Sequence, residues 1–253
     1  MRLRVLTWNL MHGRSVPAAG RELFDPFASA LERWEWEVAL LQEVPPWWPA
    51  RLGARLNAEY RQVLTSRNGL LPLRRAIATR WPDLIKSHGG GANAILVRED
   101  RIIEHRTLRL CRLPERRWAH AARLACGVWM ANLHATAHHP AAARRDSRLA
   151  AATTLAWAAE EPLVLGGDFN LPLLSLGGLQ HAGGRDVDHV FAAGWDPIGT
   201  ADVLEHGQLS DHAPVAVTLE RRSRSPAAWP AGSGQCVSPP ADQLNQSRRR
   251  GGG

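Results

Sequence analysis

The sequence predicts an α/β fold in which two packed mixed β-sheets are flanked by helices. Short apolar, β-rich runs alternate with longer segments of helical periodicity. Some predicted strands follow one another directly and others are separated by a helix, so a purely parallel, doubly wound sheet does not fit. The chain has 253 residues, 45% of them hydrophobic. This length and composition suffice for one globular domain with a sizeable core.

The first half of the chain alternates between predicted strands and helices. The strands are continuously apolar or alternate in polarity, and the helices have apolar residues at helical spacing. The prolines that open the second helix are compatible with a first turn. In chain order, the elements are a strand in LRVLTWN, a helix in FDPFASALERWEWE, a strand in VALLQEV, a helix in PWWPARLGARLNAEY and a strand in GANAILVRED.

The second half contains one long alanine-rich helix and several strands. We expect the helix to end before Pro162. The elements are a strand in RLACGVWMANLHAT, the helix in PAAARRDSRLAAATTLAWAAEE, and strands in PLVLGGDFN, VDHVFAAG and APVAVTLE. Residues 223–253 are rich in Pro, Ser, Gly and Arg and have no periodicity. We therefore expect a catalytic domain over residues 1–222 and a disordered tail over residues 223–253.

The net charge of +7 is concentrated near the C-terminus. From Arg221 to Gly253 there are six arginines and one aspartate, a net charge of +5, which leaves +2 for residues 1–220. Three separated cysteines without a CxxC pair predict neither a disulfide framework nor a zinc cluster and indicate a reducing compartment. The sequence shows no signal peptide and no run near the roughly 20 apolar residues of a membrane span. We expect a cytoplasmic monomer.

Polar side chains recur where the predicted apolar strands end. Because strand ends meet at one edge of a sheet, these groups can converge on one cleft. Each has an ordinary structural explanation by itself. Together they form a set rich in oxygen ligands, with two histidines and no cysteine, which favours Mg²⁺ or Mn²⁺ over zinc. They are Asn9, Glu43, Asn132, His134, Asp168, Asn170, Asp188, Asp211 and His212.

Six short motifs resemble those of a known family. In chain order, TWN, LLQE, NLH, GDFN, DVDH and SDH resemble the endonuclease/exonuclease/phosphatase superfamily, a group of deoxyribonuclease-like metal-dependent phosphoesterases. The resemblance covers about residues 3–220. A lone GDFN is a weak signal, whereas six motifs in order are specific. The resemblance implies a four-layer α/β sandwich and a hydrolase of ester bonds that uses Mg²⁺ or Mn²⁺.

The resemblance also implies a metal site. Glu43, in the QE motif, would be the principal metal-binding carboxylate. Asn9 would lie beside the metal and help to fix it or the phosphate, and Asp211 would complete the site.

Five further residues acquire roles in the reaction from the same resemblance. Asp168 would position and deprotonate the attacking water, and Asn170 would bind a phosphoryl oxygen. The two glycines before Asp168 would let the backbone turn tightly at the strand end. His134 would donate to the phosphate. His212 would act as a general base or as an electrostatic partner of the transition state, with its ring held in one tautomer by Asp188.

The markers of individual subfamilies are missing. Met11 stands where apurinic endonucleases have an acid, and a Val–Pro pair follows the QE motif where they have a lysine. The Trp–Cys–Asp–Arg run of the inositol phosphatases is absent. The family often pairs the NLH histidine with a mid-chain acid, for which Glu59 and Asp83 are the candidates.

Three other features have ordinary explanations that we prefer. The His138–His139 pair is interpreted as surface, because adjacent residues do not share a face of a helix or strand. The eleven tryptophans are assigned mainly to core packing, with base stacking as the alternative. Residues 89–91, three glycines, are interpreted as a loop close to the cleft.

The preferred function is a divalent-metal-dependent nuclease acting on DNA or RNA. The first alternative is a phosphatase or phosphodiesterase acting on a small-molecule or lipid phosphate. The second is a non-catalytic binding module on the same fold, which the presence of Glu43, Asp168 and His212 disfavours.

Overall fold

The computed structural model of the chain describes residues 1–65, 68–86, 90–113 and 116–222. The predicted tail, residues 223–253, lies outside the described residues, so its disorder remains a prediction. The described strands are β1 (Arg2–Asn9), β2 (Val38–Val44), β3 (Glu59–Leu64), β4 (Ala92–Val97), β5 (Ile102–Cys111), β6 (Arg117–Leu124), β7 (Trp129–His134), β8 (Leu163–Asp168), β9 (Gln180–Arg185), β10 (Asp188–Ala193), β11 (Trp195–Val203) and β12 (Val215–Arg221). The described helices are α1 (Phe24–Arg33), α2 (Trp48–Leu56), α3 (Leu71–Arg80), α4 (Pro82–Ile85) and α5 (Pro140–Ala158).

The strands form two mixed six-stranded sheets. The first has the order β11-β12-β1-β2-β4-β3, and the second has the order β5-β6-β7-β8-β10-β9. Each sheet contains one parallel pair, β1 with β2 and β7 with β8, and its other pairs are antiparallel. The predicted mixed-sheet α/β class is therefore confirmed.

Three hydrophobic clusters separate four layers. One lies between the two sheets and contains Val5, Leu40 and Met130. The second packs α1 and α2 on the outer face of the first sheet, where the Trp8 and Phe27 rings are 4.9 Å apart. The third packs α5 on the outer face of the second sheet. The order helices, sheet, sheet, helix is the predicted four-layer sandwich.

Helices α1 and α5 form where the sequence predicts them. In α1, the buried residues recur at helical spacing, so one stripe faces the first sheet. In α5, Pro140 opens the first turn, where a missing N–H costs little. Helix α5 ends at Ala158, because Ala159 has a positive φ of 52° that a helix cannot continue. None of the helices within the described part of the chain has the length and apolarity to cross a membrane.

The structure corrects two predicted elements. The predicted helix in PWWPARLGARLNAEY ends at Leu56, because Asn57 adopts a left-handed conformation, and Glu59 begins β3. The predicted strand in RLACGVWMANLHAT is two strands, the end of β6 and all of β7, joined by a turn after Leu124.

Candidate active site

The register of the second sheet places three candidate residues side by side. His134, at the end of β7, pairs with Asp168 at the end of the parallel strand β8. Asp168 pairs in turn with Asp188, the first residue of the antiparallel strand β10. All three side chains are almost fully buried. Three neighbouring strands thus bring two carboxylates and an imidazole to one edge of the sheet.

Asp168 is the centre of the cluster. Its Oδ2 accepts a hydrogen bond from Asn9 Nδ2 at 3.0 Å, which joins the end of β1 to the second sheet. The same oxygen lies 3.4 Å from His134 Nε2 and 3.9 Å from His212 Nε2. Asp168 Oδ1 accepts from the backbone N–H of Asn170 at 2.9 Å. Side chains from both sheets therefore meet at one carboxylate.

Glycine is required directly before Asp168. Gly167 has a φ of 143°, and a Cβ there would lie 2.0 Å from the carbonyl oxygen of Leu133. Any side chain would push β8 away from β7, so the strand end that aims Asp168 depends on this residue. Asn170, with a φ of 52°, turns back so that its Nδ2 donates to the carbonyl of Ala135 at 3.1 Å.

His212 is held from two directions. Its Nδ1 lies 2.7 Å from Asp188 Oδ2, and its backbone N–H donates to Ser210 Oγ at 3.1 Å. Its carbonyl accepts from Trp8 Nε1 at 2.9 Å, and Ser210 Oγ donates to the carbonyl of Asn9 at 2.6 Å. The loop before β12 is therefore fastened to the end of β1, and the His212 ring has one orientation.

Burial and charge shift the pKa values of this cluster. Burial and the charge of Asp188 raise the pKa of Asp168 to about 7, although His212 and the donors Asn9 and Asn170 oppose the shift. Burial also raises the pKa of Asp188. Burial lowers the pKa of His212, but the hydrogen bond and charge of Asp188 outweigh it and raise that pKa to about 9.

His134 differs from His212 in its electrostatic environment. Burial lowers the pKa of His134 well below its usual value, and the positive charges of Arg117 and His212 add to the effect. His134 is therefore a neutral imidazole, whereas His212 is an imidazolium at neutral pH. The two histidines face the same oxygen of Asp168 with different charges.

Glu43 lies beside this cluster at the end of β2. Its Oε1 is 4.0 Å from His134 Nδ1, and its Oε2 is 3.1 Å from His12 Nε2. Of the predicted metal residues, Glu43 and Asn9 thus both adjoin the His134–Asp168 pair. The Asp211 side chain is exposed, and within the described residues no hydrogen bond or ion pair joins it to Asn9 or Glu43.

A second group of residues has the geometry to hold a metal ion. One ligand atom each from Asp168, Asp188 and His212 lies within 4.8 Å of the other two. Asp188 Oδ1 is buried and has no hydrogen-bond partner in the described structure. Carboxylate oxygens that could hold a cation therefore lie both on Glu43, beside His134, and on Asp168 and Asp188.

Neither mid-chain acid predicted as a partner of His134 contacts it. Glu59 Oε2 accepts from the backbone N–H of Ile102, and Asp83 pairs with Arg14. The nearest carboxylates to His134 belong to Asp168 and Glu43. The carboxylates near His134 are therefore residues that the motifs assign to other roles.

Sequence reasoning missed two residues of the site. His12 contacts Glu43, and its Nδ1 lies 3.1 Å from the carbonyl oxygen of Gly90, so Gly90 lies at the cleft. Arg117, at the start of β6, is buried close enough to His134 to lower its pKa. A histidine three residues after the TWN motif and an arginine opening a strand were the available signals.

Comparisons with known proteins agree with this architecture. An endonuclease/exonuclease/phosphatase from Beutenbergia cavernae is similar at 20% identity and a TM-score of 0.66, over 87% of this chain and 72% of that chain. A mannosyl-6-phosphatase from Bacteroides thetaiotaomicron is similar at 16% identity and a TM-score of 0.65, over 86% of this chain and 99% of that chain. TDP2 from Caenorhabditis elegans is similar at 15% identity and a TM-score of 0.63, over 87% and 74% of the two chains.

The family follows from the sequence itself. The sequence pattern of the Endonuclease/Exonuclease/phosphatase family matches residues 6–212. A sequence comparison with curated proteins found no match. The chain belongs to the endonuclease/exonuclease/phosphatase family, which confirms the resemblance, and phosphoesterase activity is the chemistry that this membership supports.

Proposed function

We propose that this member of the family is a divalent-metal-dependent phosphodiesterase that cleaves nucleic acid. The observation that carries the proposal is the convergence on Asp168 Oδ2 of Asn9 at 3.0 Å, His134 at 3.4 Å and His212 at 3.9 Å. A buried carboxylate surrounded by donors from both sheets is suited to a water that attacks phosphorus. Acid–histidine pairs without a catalytic role are usually exposed at the surface, whereas Asp168 and His134 are almost fully buried.

Asp168 is proposed as the base that takes a proton from the attacking water. A pKa of about 7 lets its carboxylate accept a proton near neutral pH. The backbone N–H of Asn170 holds Oδ1, so the orientation of Oδ2 is fixed. The Asn170 side-chain amide donates one N–H to the carbonyl of Ala135, and we propose that its second N–H donates to a phosphoryl oxygen.

His212 is proposed as the cationic partner of the transition state. The resemblance leaves open whether this histidine is a base or an electrostatic stabiliser. A pKa of about 9 favours the second role, because the ring is already protonated at neutral pH. Its Nε2–H would stabilise negative charge on the phosphate, and Asp188 keeps the ring aimed at the cleft through the 2.7 Å contact.

The donor set fits a divalent ion, with Glu43 as its main protein ligand. Asp188 and His212 are already engaged with each other at 2.7 Å, and the proton on His212 makes that side of the cluster a poor site for a cation. Both oxygens of Glu43 face imidazole nitrogens instead of cationic side chains of Lys or Arg. When bound, the ion would supply Lewis acidity and orient the phosphate.

The surface of α3 and α4 supports a nucleic acid as substrate. The segment from Leu71 to Lys86 has four basic residues and one acid. Trp81 is 54% exposed, and the Arg80 guanidinium lies over its ring at 5.3 Å. Basic side chains next to an exposed aromatic ring are typical of surfaces that bind phosphates and stack bases. His12 from the site and Lys86 from this segment line the same small pocket.

The alternative is a phosphatase that acts on a small phosphate ester. It is favoured by the similarity in fold to the mannosyl-6-phosphatase from Bacteroides thetaiotaomicron and by the nearly neutral charge of residues 1–220. A phosphomonoester would need the same cluster at Asp168 but not the α3–α4 surface.

The substrate specificity of the purified protein distinguishes the nuclease from the phosphatase. The purified full-length protein would be assayed with Mg²⁺ and with Mn²⁺ on duplex DNA, single-stranded DNA, RNA, bis(4-nitrophenyl) phosphate and a panel of sugar phosphates. We expect a higher kcat/KM on nucleic acid than on any monoester. A preference for monoesters would establish the phosphatase alternative, and no turnover on any of them would favour a binding module.

Removal of the tail should affect binding to long substrates without affecting the chemistry. Truncation after Arg222 should leave kcat on a short substrate at high salt unchanged. On long nucleic acid at low salt it should raise KM and flatten the slope of log affinity against log salt, because fewer counterions are released. Affinity measured across a salt series, for the full-length and truncated proteins, tests this.

A charge-only variant separates charge from length. Replacing Arg248, Arg249 and Arg250 with glutamine retains the tail but removes three of its four arginines. For this variant, the slope of log affinity against log salt should fall between the slopes of the full-length and truncated proteins. Identical slopes for all three would mean that the tail never touches the substrate.

A further inference from the structure

His12 has a fixed neighbour at each nitrogen of its ring. Nδ1 lies 3.1 Å from the carbonyl oxygen of Gly90, and Nε2 lies 3.1 Å from Glu43 Oε2. A carbonyl oxygen only accepts hydrogen bonds, so Nδ1 carries a proton. In the neutral ring, Nε2 is therefore an acceptor that lies 3.1 Å from an acceptor oxygen of a carboxylate. Two acceptors this close repel each other unless one cation binds both of them or the ring carries a second proton.

The spacing of these atoms suits two ligands of one ion. Two ligand atoms each about 2.1 Å from a metal, at a right angle, are about 3.0 Å apart. The separation of His12 Nε2 and Glu43 Oε2 is 3.1 Å. Metal-bound histidines usually donate their other N–H to a carbonyl or carboxylate, which fixes the tautomer. The Gly90 carbonyl fills that position for His12.

The backbone on both sides of this contact is held in an uncommon conformation. Met11, His12 and Glu43 have φ values of 47°, 55° and 49°, in the left-handed region that non-glycine residues seldom adopt. Gly91 also approaches His12 closely, since a Cβ on Gly91 would lie 3.3 Å from His12 Cε1. Strained backbone persists mainly where a function requires it. A partly exposed ion pair between His12 and Glu43 would contribute too little stability to explain this strain.

We propose that His12 is a ligand of the divalent ion held by Glu43, and that this nitrogen shifts the site's preference from Mg²⁺ towards Mn²⁺. Imidazole binds later first-row ions better than it binds Mg²⁺, which prefers oxygen. The inference rests on the proposed metal-dependent function, and it adds a nitrogen ligand from the turn after β1. Neither the QE motif nor any of the other five motifs contains this residue.

The test measures metal binding with Mn²⁺ alone, in the absence of substrate. Electron spin-echo spectroscopy of the Mn²⁺-loaded full-length protein should show coupling to an imidazole ¹⁴N nucleus. His12→Asn should abolish that coupling and raise the Kd for Mn²⁺ by at least about tenfold, with a smaller effect on Mg²⁺ binding. Asparagine is chosen because it tolerates a positive φ. His12→Gln provides a second variant, and circular dichroism checks that both are folded.

His139→Asn is the matched control, because His139 is exposed at the start of α5 and should not affect the coupling. Mn²⁺ bound without nitrogen coupling, or with coupling that persists in His12→Asn, would overturn the inference but leave metal-dependent catalysis intact. The first outcome would identify His12 as a cationic partner of Glu43, and the second would identify His134 or His212 as the nitrogen ligand. Failure of the wild-type protein to bind Mn²⁺ at all would overturn this inference together with the proposed metal dependence.

Discussion

Replacing Asp168 with asparagine is expected to lower kcat by about 10³–10⁴-fold, because asparagine cannot take a proton from water. The folded state should survive. The pKa of Asp168 is raised from 3.8 to about 7 on folding, so above about pH 4 its ionisation opposes folding. Removing this buried charge should leave Tm unchanged or higher. The measurements are kcat on the preferred substrate and Tm at pH 8.

Asp25→Asn is the matched control for this substitution. Asp25 is exposed on α1, where it pairs with Arg55, so the same chemical change there should leave kcat unchanged. An Asp168→Asn protein that unfolds but retains full specific activity per folded molecule would show that Asp168 is structural. Retention of kcat within tenfold in a folded variant would refute its role as the base.

Removing either member of the Asp188–His212 pair is expected to cost about 10²–10⁴-fold in kcat. His212→Ala removes the cation that faces the phosphate, and Asp188→Asn removes the group that orients it. Because the two residues act as one unit, the double variant should be little slower than the worse single variant. Single-turnover rates for the three proteins test this non-additivity.

The pH profile provides an independent readout for Asp188→Asn. The hydrogen bond and charge of Asp188 raise the pKa of His212 to about 9, so the imidazolium is lost as pH rises through that value. Without the charge of Asp188, the alkaline decline of kcat/KM should begin at lower pH. His139→Ala, an exposed histidine, serves as the control and should leave the profile unchanged. Strictly additive losses with an unshifted profile would show that Asp188 and His212 act separately.

The sequence was most informative about buried elements. β1, β2 and β8 are apolar over most of their length, and the sequence predicts their ends to within a residue or two. A short, continuously apolar run is most readily explained as a buried strand. β9 and β11 were missed, because both contain glycines and face solvent over much of their length. An edge strand is stabilised mainly by hydrogen bonds to the strand that it pairs with. The local sequence does not indicate which strand that is.

In the site, too, the sequence predicts what depends on local features and misses what depends on residues distant in the chain. His134, Asp168 and Asp188 were predicted to converge because each adjoins a recognisable strand end, and the register places them next to one another. His12 was missed because its neighbours are Glu43 and Gly90, distant in sequence and brought together only by the fold. The acid partner proposed for His134 was sought in mid-chain, whereas the fold supplies carboxylates already assigned to other roles.

We propose that the cleft at Asp168 and Glu43 hydrolyses phosphate esters with a divalent ion. The most direct measurement is the rate of bis(4-nitrophenyl) phosphate hydrolysis by the purified full-length protein, first in excess chelator and then across a Mn²⁺ titration. We predict no turnover in chelator and full recovery with metal. Glu43→Gln should need at least about tenfold more Mn²⁺ for half-maximal activity, since a ligand is lost. Full activity in excess chelator, or an unchanged Mn²⁺ requirement in Glu43→Gln, would contradict the account.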